Sequence, residues 1–406
     1  MKVLYFHQHF STPAGAAGNR SYWMARHLVD RGHSVTMICG SYGLGSTGLC
    51  GGFARGRRHG FVDGIEIIEF DMSYSNADSF LRRAVTFSRF GLRSIKVALT
   101  LDYDVIFATS TPLTAGLPGI AARWLRRKRF VFEVRDLWPE LPRSMGVITN
   151  PIVLGAMSVL EFVSYRSAHR LIALAPGIAD GIISRGVQAR NVIEIPNGCD
   201  LDVFGNMSDA SRPLMVSPGD LCVVYTGTHG IANGLDAVLD AARVLEERGR
   251  ADIKLVLIGD GKLKNKLQDR AKRETLNNVL FYPPVSKAQL ARILSAADLG
   301  LQILANIRAF SFGTSPNKFF DYIAAGLPVL NNYPGWVADL IHSHDCGFVV
   351  CPDDPAAFAD ALELAASDRR RLRNMGTNAR ALAEKQFDRR QLAAQFADWL
   401  EGSAHA

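Results

Sequence analysis

No two of the six cysteines (Cys39, Cys50, Cys199, Cys222, Cys346 and Cys351) stand in CxxC spacing. Scattered over 406 residues, they argue against a disulfide framework or a zinc site and for a reducing compartment. Long apolar runs are missing too. None reaches the roughly 18 uninterrupted residues of a spanning helix, and the nearest, residues 151–165, is broken by Glu161. The first apolar run stops at His7 after a single charge, Lys2. It is too short for the core of a secretion signal and reads as a buried strand. No His, Asp and Glu cluster has ligand spacing, so no metal is expected. No GxGxxG is followed some 20 positions on by an acid, which counts against a dinucleotide-dependent dehydrogenase. Low-complexity tracts and short-period repeats are absent as well.

The chain is long enough for two α/β domains of about 200 residues each. Its 48% apolar and 21% charged content is that of a folded protein. The net charge of +7 is lopsided: residues 1–200 hold 23 Lys and Arg against 15 Asp and Glu, and the remainder 23 against 24. A one-sided basic surface fits an anionic partner, whether membrane lipid, a phosphorylated acceptor or nucleic acid, although solubility alone also accounts for it.

One module occurs twice. Residues 3–6 form an apolar strand, followed by a loop with Gly15 and Gly18, a helical pattern over 20–30, Gly32 and a strand at 34–38. Residues 222–226 repeat the strand, with Gly227, Gly230 and Gly234, a helix to about Arg248 and a strand at 253–258. Strand, Gly-rich turn, helix, strand opens a Rossmann-like βαβ unit. Further short Val- and Ile-rich strands are expected at 105–108, 130–134, 171–173, 192–195, 279–281, 299–303 and 329–330, as a doubly covered parallel sheet requires. The first sheet ends before the turn Pro196-Asn197-Gly198-Cys199-Asp200, and 205–220 reads as linker. The expected division is 1–200 and 201–385, with a terminal helix over 386–402 returning to the first domain.

The sharpest candidate site begins at Ser315, a natural N-cap, with Pro316 at the first helical position and a helix through Asn317 and Lys318 to Ala325, stopped by Gly326. Free amides at a helix start bind anions. Lys318 sits in the first turn, where the helix dipole disfavours a cation, which makes sense opposite a phosphate. Asp321, one turn on, suits a ribose diol; a Lys318–Asp321 surface ion pair is the plainer reading. The turns at Gly15–Gly18 and Gly227–Gly234 let backbone approach a ligand. Gly259-Asp260-Gly261-Lys262-Leu263-Lys264 offers another close approach with two cations. Glu133-Val134-Arg135-Asp136 lies where a strand ends, the ligand side of an open α/β sheet, and its charges need partners or a substrate.

With these pieces assembled, the chain resembles glycosyltransferase family 4, retaining enzymes of the GT-B fold, and within it the surface-polysaccharide branch that includes N-acetylfucosamine transferases. The matching stretches are HQHFSTPAGAAGNRSYWMARHLVDRGHSVTMI, FEVRDLWPE, IPNGCD, YTGTHGIANGLDAVLDAA, LVLIGDGKLKNKL, VLFYPPVSKAQLARILSAADLGL and SPNKFFDYIAAGLPVL, in the family's order over nearly the whole chain. The resemblance implies two Rossmann-like domains facing across a cleft, the donor nucleotide on the second and the acceptor on the first near Asp136. It implies a uracil-type base against the backbone near Tyr282 and Val285, ribose on Asp321, and diphosphate on the Gly15–Gly18 loop, Arg20, and the amides of Ser315, Pro316, Asn317 and Lys318. Gly227, His229, Gly230 and Asn233 complete the implied donor set. The family's Glu-x7-Glu pair is reduced to Asp321, because position 313 is Gly313, and its two loop cations fall at Thr228 and Asn233.

The expected function is retaining, metal-independent transfer of a hexosyl or N-acetylhexosaminyl group from a UDP-linked sugar, without cofactor, to a lipid-linked or saccharide acceptor of O-antigen or capsule assembly. Lys318 and Lys264 stabilise the leaving diphosphate, and Asp136 lies at the acceptor. A sugar-nucleotide epimerase of the same architecture and a non-catalytic nucleotide-sugar-binding protein stay open as alternatives. Residues 80–101 interleave Arg82, Arg83, Arg89, Arg93 and Lys96 with large apolar residues, and Arg126, Arg127, Lys128 and Arg129 add a second cluster. That pattern fits an anionic membrane surface, hence a cytoplasmic protein peripheral to the inner membrane, or an ordinary amphipathic helix. No nucleic-acid motif accompanies the charge.

Overall fold

The computed structural model describes the chain apart from residues 16–17, 44, 75–77, 206–209 and 406 and the side chains of Phe80, Phe312, Ala404 and His405. It has two compact units. One comprises Met1–Pro196, Gly313–Ser315 and Arg390–Ala406, the other Asn197–Phe312 and Pro316–Arg389.

Among the described residues the first unit is built on eight strands: β1 (Lys2–Phe6), β2 (Ser34–Tyr42), β3 (Arg57–Val62), β4 (Ile65–Tyr74), β5 (Val105–Thr109), β6 (Arg129–Val134), β7 (Arg170–Ala173) and β8 (Val192–Glu194). Their order is β3-β4-β2-β1-β5-β6-β7-β8. Among the described residues only β3 runs antiparallel, paired to β4 from Arg57↔Phe70 to Val62↔Ile65. This hairpin was not expected. Its two-residue turn is Asp63-Gly64, with φ of 50° and 80°, the positive-φ pair of a hairpin turn. Helices cover both faces, so the central strands are apolar on both sides. On one face Tyr5 of β1 and Phe107 of β5 meet at 4.5 Å between ring centroids, and Phe396 of the terminal helix Arg389–His405 meets Phe107 at 4.9 Å.

The second unit holds β9 (Leu221–Thr226), β10 (Ile253–Ile258), β11 (Val279–Tyr282), β12 (Leu299–Gln302), β13 (Val329–Asn331) and β14 (Gly347–Val349), all parallel, in the order β11-β10-β9-β12-β13-β14. Its core packs Leu239 and Leu245 of helix Asp236–Glu247 and Phe358 and Leu362 of helix Pro355–Ser367 on the sheet. β14 was not expected, being only three residues of which two are half-buried and one exposed. Of the expected linker 205–220, residues 206–209 lie outside the described residues, and the others form neither helix nor strand.

Residues 151–165 form most of helix Pro151–Ser167. Among the described residues, no helix is long and apolar enough to cross a membrane.

Candidate active site

In the second unit, the carboxyl ends of β9 and β10 carry two glycine loops packed backbone to backbone. Gly227 (φ 134°) donates its N–H to Ile258 O at 2.9 Å, and His229 N–H reaches Asp260 O at 2.8 Å. A Cβ on Gly259 (φ 149°) would sit 1.9 Å from Gly227 O, and one on Gly261 (φ 158°) 2.5 Å from His229 O. Side chains are sterically barred from both places, which leaves bare backbone where two sheet strands end. Gly230 caps the short turn Ile231–Asn233.

Helix Asn317–Ala324 brings Lys318 to these loops. Its N-cap is Pro316, at ψ 122°, with no side-chain cap bond. Ser315 was expected to cap, but the helix starts one residue later: the extended ψ of Pro316 supplies the non-helical cap geometry itself. Ser315 groups with the first unit and Pro316 with the second. Tyr322 anchors the helix, its hydroxyl accepting from Thr226 N at 2.9 Å. Gly326 (φ 70°) follows the last turn, as expected.

Lys318 Nζ donates to Tyr225 Oη at 3.1 Å and Asn233 Oδ1 at 3.0 Å and lies 4.4 Å from the Tyr225 ring centroid. A Cβ on Gly227 would stand 3.8 Å from Nζ. Burial pulls the ammonium down to about 7. No carboxylate among the described residues pairs with it, so the expected alternative of a Lys318–Asp321 ion pair is not formed. Lys318 is half-buried, and cations withdrawn from water are normally paired. This one rests on two neutral oxygens and an aromatic face.

His229 is fully buried beside the same group, with the rings of Tyr225 and Phe281 at 6.0 and 6.1 Å and neither ring nitrogen partnered among the described residues. Burial first, then Lys264 and Lys318, hold it down to about 4, so it is neutral at pH 7. Lys264 Nζ donates to Gly259 O at 2.7 Å and Tyr282 O at 3.0 Å, bracing the loop against β11. Val285 is half-buried in the turn after β11, just before the capping box of Ser286 and Gln289.

Asp321 joins a different neighbourhood. Its carboxylate is 4.0 Å from Lys287 Nζ, and Lys287 also pairs with Asp200, which in turn holds Arg389. Burial raises the Asp321 carboxyl to about 6. Lys287, Asp200 and Tyr225 were not singled out from the sequence. They are distant from Lys318 and Asp321 along the chain, and only the fold reveals them.

In the first unit, Arg20 donates to Glu133 Oε2 from Nε at 3.0 Å and from Nη2 at 2.9 Å, and also to the carbonyls of Ile195 and Pro196. Arg135 takes the other Glu133 oxygen at 3.2 Å and Thr109 Oγ1 at 2.8 Å. Burial pushes the Glu133 carboxyl up, but the two guanidiniums outweigh it and the net direction is down. The charges of Glu133-Val134-Arg135 thus satisfy one another and Arg20. Asp136 differs: it accepts from Thr111 Oγ1 at 3.3 Å, and burial raises its carboxyl. Gly15 packs tightly, since a Cβ there would meet Ser11 Oγ at 2.2 Å. Gly18 is exposed, and residues 16–17 between them lie outside the described residues. Among the described residues no three His, Cys, Asp or Glu side chains gather as a metal would need.

Comparison with known proteins follows this division. A family model described as "Glycosyl transferases group 1" matches residues 210–382, and one described as "Glycosyl transferase 4-like domain" matches residues 15–198. The chain is 26% identical over 227 residues to "Putative colanic acid biosynthesis glycosyl transferase WcaI" of Escherichia coli (strain K12), covering 54% of each protein. It spans about half the length of the curated relatives it matches. Among solved structures, sucrose-phosphate synthase from Thermosynechococcus elongatus aligns with TM-score 0.76 at 16% identity, over 99% of this chain and 98% of that one. HepE of Anabaena, in complex with UDP-glucose, aligns with TM-score 0.67 at 17% identity, over 99% and 100%. These two likenesses concern the fold.

Proposed function

This chain belongs to the family 4 glycosyltransferases, of GT-B fold, and on that premise we propose that it moves a hexosyl or N-acetylhexosaminyl group, with retention, from a UDP-sugar to a lipid-linked or saccharide acceptor in surface-polysaccharide assembly. The observation that carries the reading is the half-buried Lys318 ammonium, without a carboxylate among the described residues, set against glycine loops at the carboxyl ends of β9 and β10. As the bond from the anomeric carbon to the diphosphate oxygen breaks, negative charge grows on that oxygen. A fixed, desolvated cation stabilises this charge more than water would. Lys264, tied to two carbonyls, holds the second loop in shape. Asp321 takes the ribose diol. Asp136, with its raised carboxyl, faces acceptor chemistry on the first unit. Fixed protein cations do the work a metal would otherwise do. The UDP-glucose bound to HepE and the colanic acid role in the name of WcaI support the donor class and the pathway class.

The reading includes a peripheral membrane location. Helices Phe80–Thr100, Leu117–Arg126 and Pro151–Ser167 leave Leu81, Leu92, Trp124, Leu125, Ile152 and Phe162 more than half exposed. Arginines stand among them.

The test is a panel of UDP-sugars. A true donor at 100 times its Kd adds about 2.7 kcal/mol to stability, and the same sugar is then transferred in excess chelator. If no UDP-sugar raises the melting temperature, the donor assignment is wrong. If activity dies in chelator and returns with magnesium or manganese, the metal-free part is wrong.

A further inference from the structure

The three consecutive residues after β1 hold buried polar atoms that have no hydrogen-bond partner among the described residues. Gln8 is 1% exposed, with neither its amide nitrogen nor its amide oxygen partnered, and His7 Nδ1 and His9 Nε2 are in the same position. Buried polar atoms without partners are rare, and each requires an explanation. Four in three residues, at the carboxyl end of a parallel strand, coincide with the place where such sheets bind ligands.

The surroundings define the chemistry. His9 stacks on Tyr74, at the end of β4, with centroids 4.5 Å apart, and lies 5.2 Å from Tyr42 at the end of β2 and 6.0 Å from Phe87. Gln8 is anchored by its own backbone, whose carbonyl accepts from Gly40 N at 3.0 Å. The Arg135 charge acts on both imidazoles, which puts them near the end of β6, where Asp136 follows Arg135. Arg135 itself is engaged by Glu133, Thr109 and Ser21. Burial keeps both imidazoles neutral. The cation on the aromatic side is Arg83, against the Tyr74 hydroxyl. A primary amide and two neutral imidazoles offer donors and acceptors together. An aromatic wall with a few convergent polar groups is how small-molecule sites are lined. Hydroxyl groups, each donor and acceptor, match this neutral set, whereas a phosphate is bound best by charged donors.

We propose that His7, Gln8 and His9, walled by Tyr42 and Tyr74, form the subsite for the uncharged sugar ring of the acceptor. This rests on the glycosyltransferase reading and says which part of the acceptor the first unit grips.

The experiment uses the full chain with octyl glycosides of glucose, galactose and N-acetylglucosamine and with octyl phosphate, followed by ligand-observed NMR, and UDP binding followed separately by thermal shift. In wild type at least one glycoside binds and octyl phosphate does not compete with it. Gln8→Leu and His9→Leu each weaken the glycoside at least tenfold and leave the UDP shift unchanged, while His9→Gln, which keeps a neutral donor and acceptor, recovers part of the loss. Gln8→Leu melts at the same temperature as wild type or higher, because it deletes unsatisfied polar atoms. A lower melting temperature with unchanged glycoside binding would mean that an ordered water satisfies Gln8 structurally, and the proposal falls. It also falls if no glycoside binds wild type, or if octyl phosphate displaces the one that does. A missing UDP shift in wild type would instead count against the donor reading alone.

Discussion

Arg20, buried in the first unit, and Lys318, half-buried in the second with its ammonium withdrawn from water, are cations close to the start of a helix, beside the loops of a mainly parallel sheet. They are handled in opposite ways. Arg20 meets a buried carboxylate, Glu133, and two backbone carbonyls. Lys318 meets a hydroxyl, an amide oxygen and a ring face. A buried charge with its counter-charge is part of the framework, and breaking the pair leaves the survivor stranded. A buried charge kept without one is held at a cost to stability, and such sites concentrate where a ligand brings the missing charge.

The largest effect expected from this contrast is on stability. Arg20→Met should cost about 3–5 kcal/mol, because Glu133 then keeps only Arg135 and the Thr109 hydroxyl, both on its other oxygen, in a dry site. The double variant Arg20→Met/Glu133→Gln should regain part of that. Urea unfolding midpoints measure both. A loss under 1 kcal/mol in the single variant would erase the distinction between the two cations.

Lys318→Met should behave in reverse. Turnover with the best UDP-sugar should fall by about 10²–10³-fold, the usual consequence of removing one preorganised group from a developing oxyanion. Stability should hold or rise, since an uncompensated charge has been removed. Asn233→Lys in that background brings a new ammonium close to the lost one, as Asn233 Oδ1 is 3.0 Å from Nζ, and should restore part of the rate. Near-normal turnover in well-folded Lys318→Met would remove Lys318 from the site.

The two cations also mark what was legible from sequence. Lys318 stands out locally, as a cation in a first helical turn before a Gly-stopped helix. The Arg20–Glu133 pair joins residues 113 apart in sequence, and no local pattern announces it. Arg135 lies two residues from Glu133 in the motif, yet it takes only one of the two oxygens. Likewise β1, β2, β9 and β10 show as apolar runs, whereas the edge hairpin of β3 and β4 alternates exposed and half-buried residues in β3. Its Asp63-Gly64 turn was the signal available. Asp321 was legible as a carboxylate on the right helix, but its coupling to Lys287 and Asp200 was not, because that depends on three separate segments meeting.

pH sharpens the contrast more gently. The Lys318 pKa is lowered to about 7 in the folded chain from 10.5, so the cost of holding its charge is fully present below pH 7 and is relieved as pH rises towards 10.5. A diphosphate favours the charged form, so UDP binding takes up a proton above pH 7 and affinity falls by up to tenfold per unit there. Asp321 works from the other side. Its pKa is raised to about 6 from 3.8, so its stability penalty grows as pH rises from 3.8 to 6, and Asp321→Asn should stabilise the fold above pH 6. Only the ionised carboxylate accepts both ribose hydroxyls, so UDP affinity also declines below pH 6. Calorimetric titration across pH 5–9 should give a maximum between about 6 and 7. Lys318→Met should flatten the alkaline side and Asp321→Asn the acid side. A flat profile in wild type would uncouple both residues from the nucleotide.

The smallest effect concerns the outside of the first unit, where the same question of paired and unpaired cations recurs. Arg126 donates to Ala98 O at 3.0 Å and Leu101 O at 2.6 Å, and Lys128 to Tyr103 O, so both serve the end of helix Phe80–Thr100, where cations offset the helix dipole. Arg93 reaches Gly56 O at 3.4 Å, and Arg82 lies 3.4 Å from Asp78. These four have protein partners, as Arg20 has, although Arg82 is largely exposed. Arg89 and Lys96 have no such partner among the described residues, and they share a helix with exposed Leu81 and Leu92. If the surface meets anionic lipid, each unpaired cation contributes about 1 kcal/mol, and the apolar residues add burial in the headgroup layer. Arg89→Gln/Lys96→Gln should therefore weaken co-sedimentation with anionic vesicles by about 10–30-fold at low salt, with release of wild type as salt rises and screening shortens. Arg93→Gln should change it little, since that guanidinium is turned to Gly56. Equal losses from Arg93→Gln and from the double variant would mean that the framework cations face the membrane as well. Indifference of wild type to anionic vesicles would return helix Phe80–Thr100 to an ordinary amphipathic role, with its arginines in water and Phe90 and Ala98 on the core.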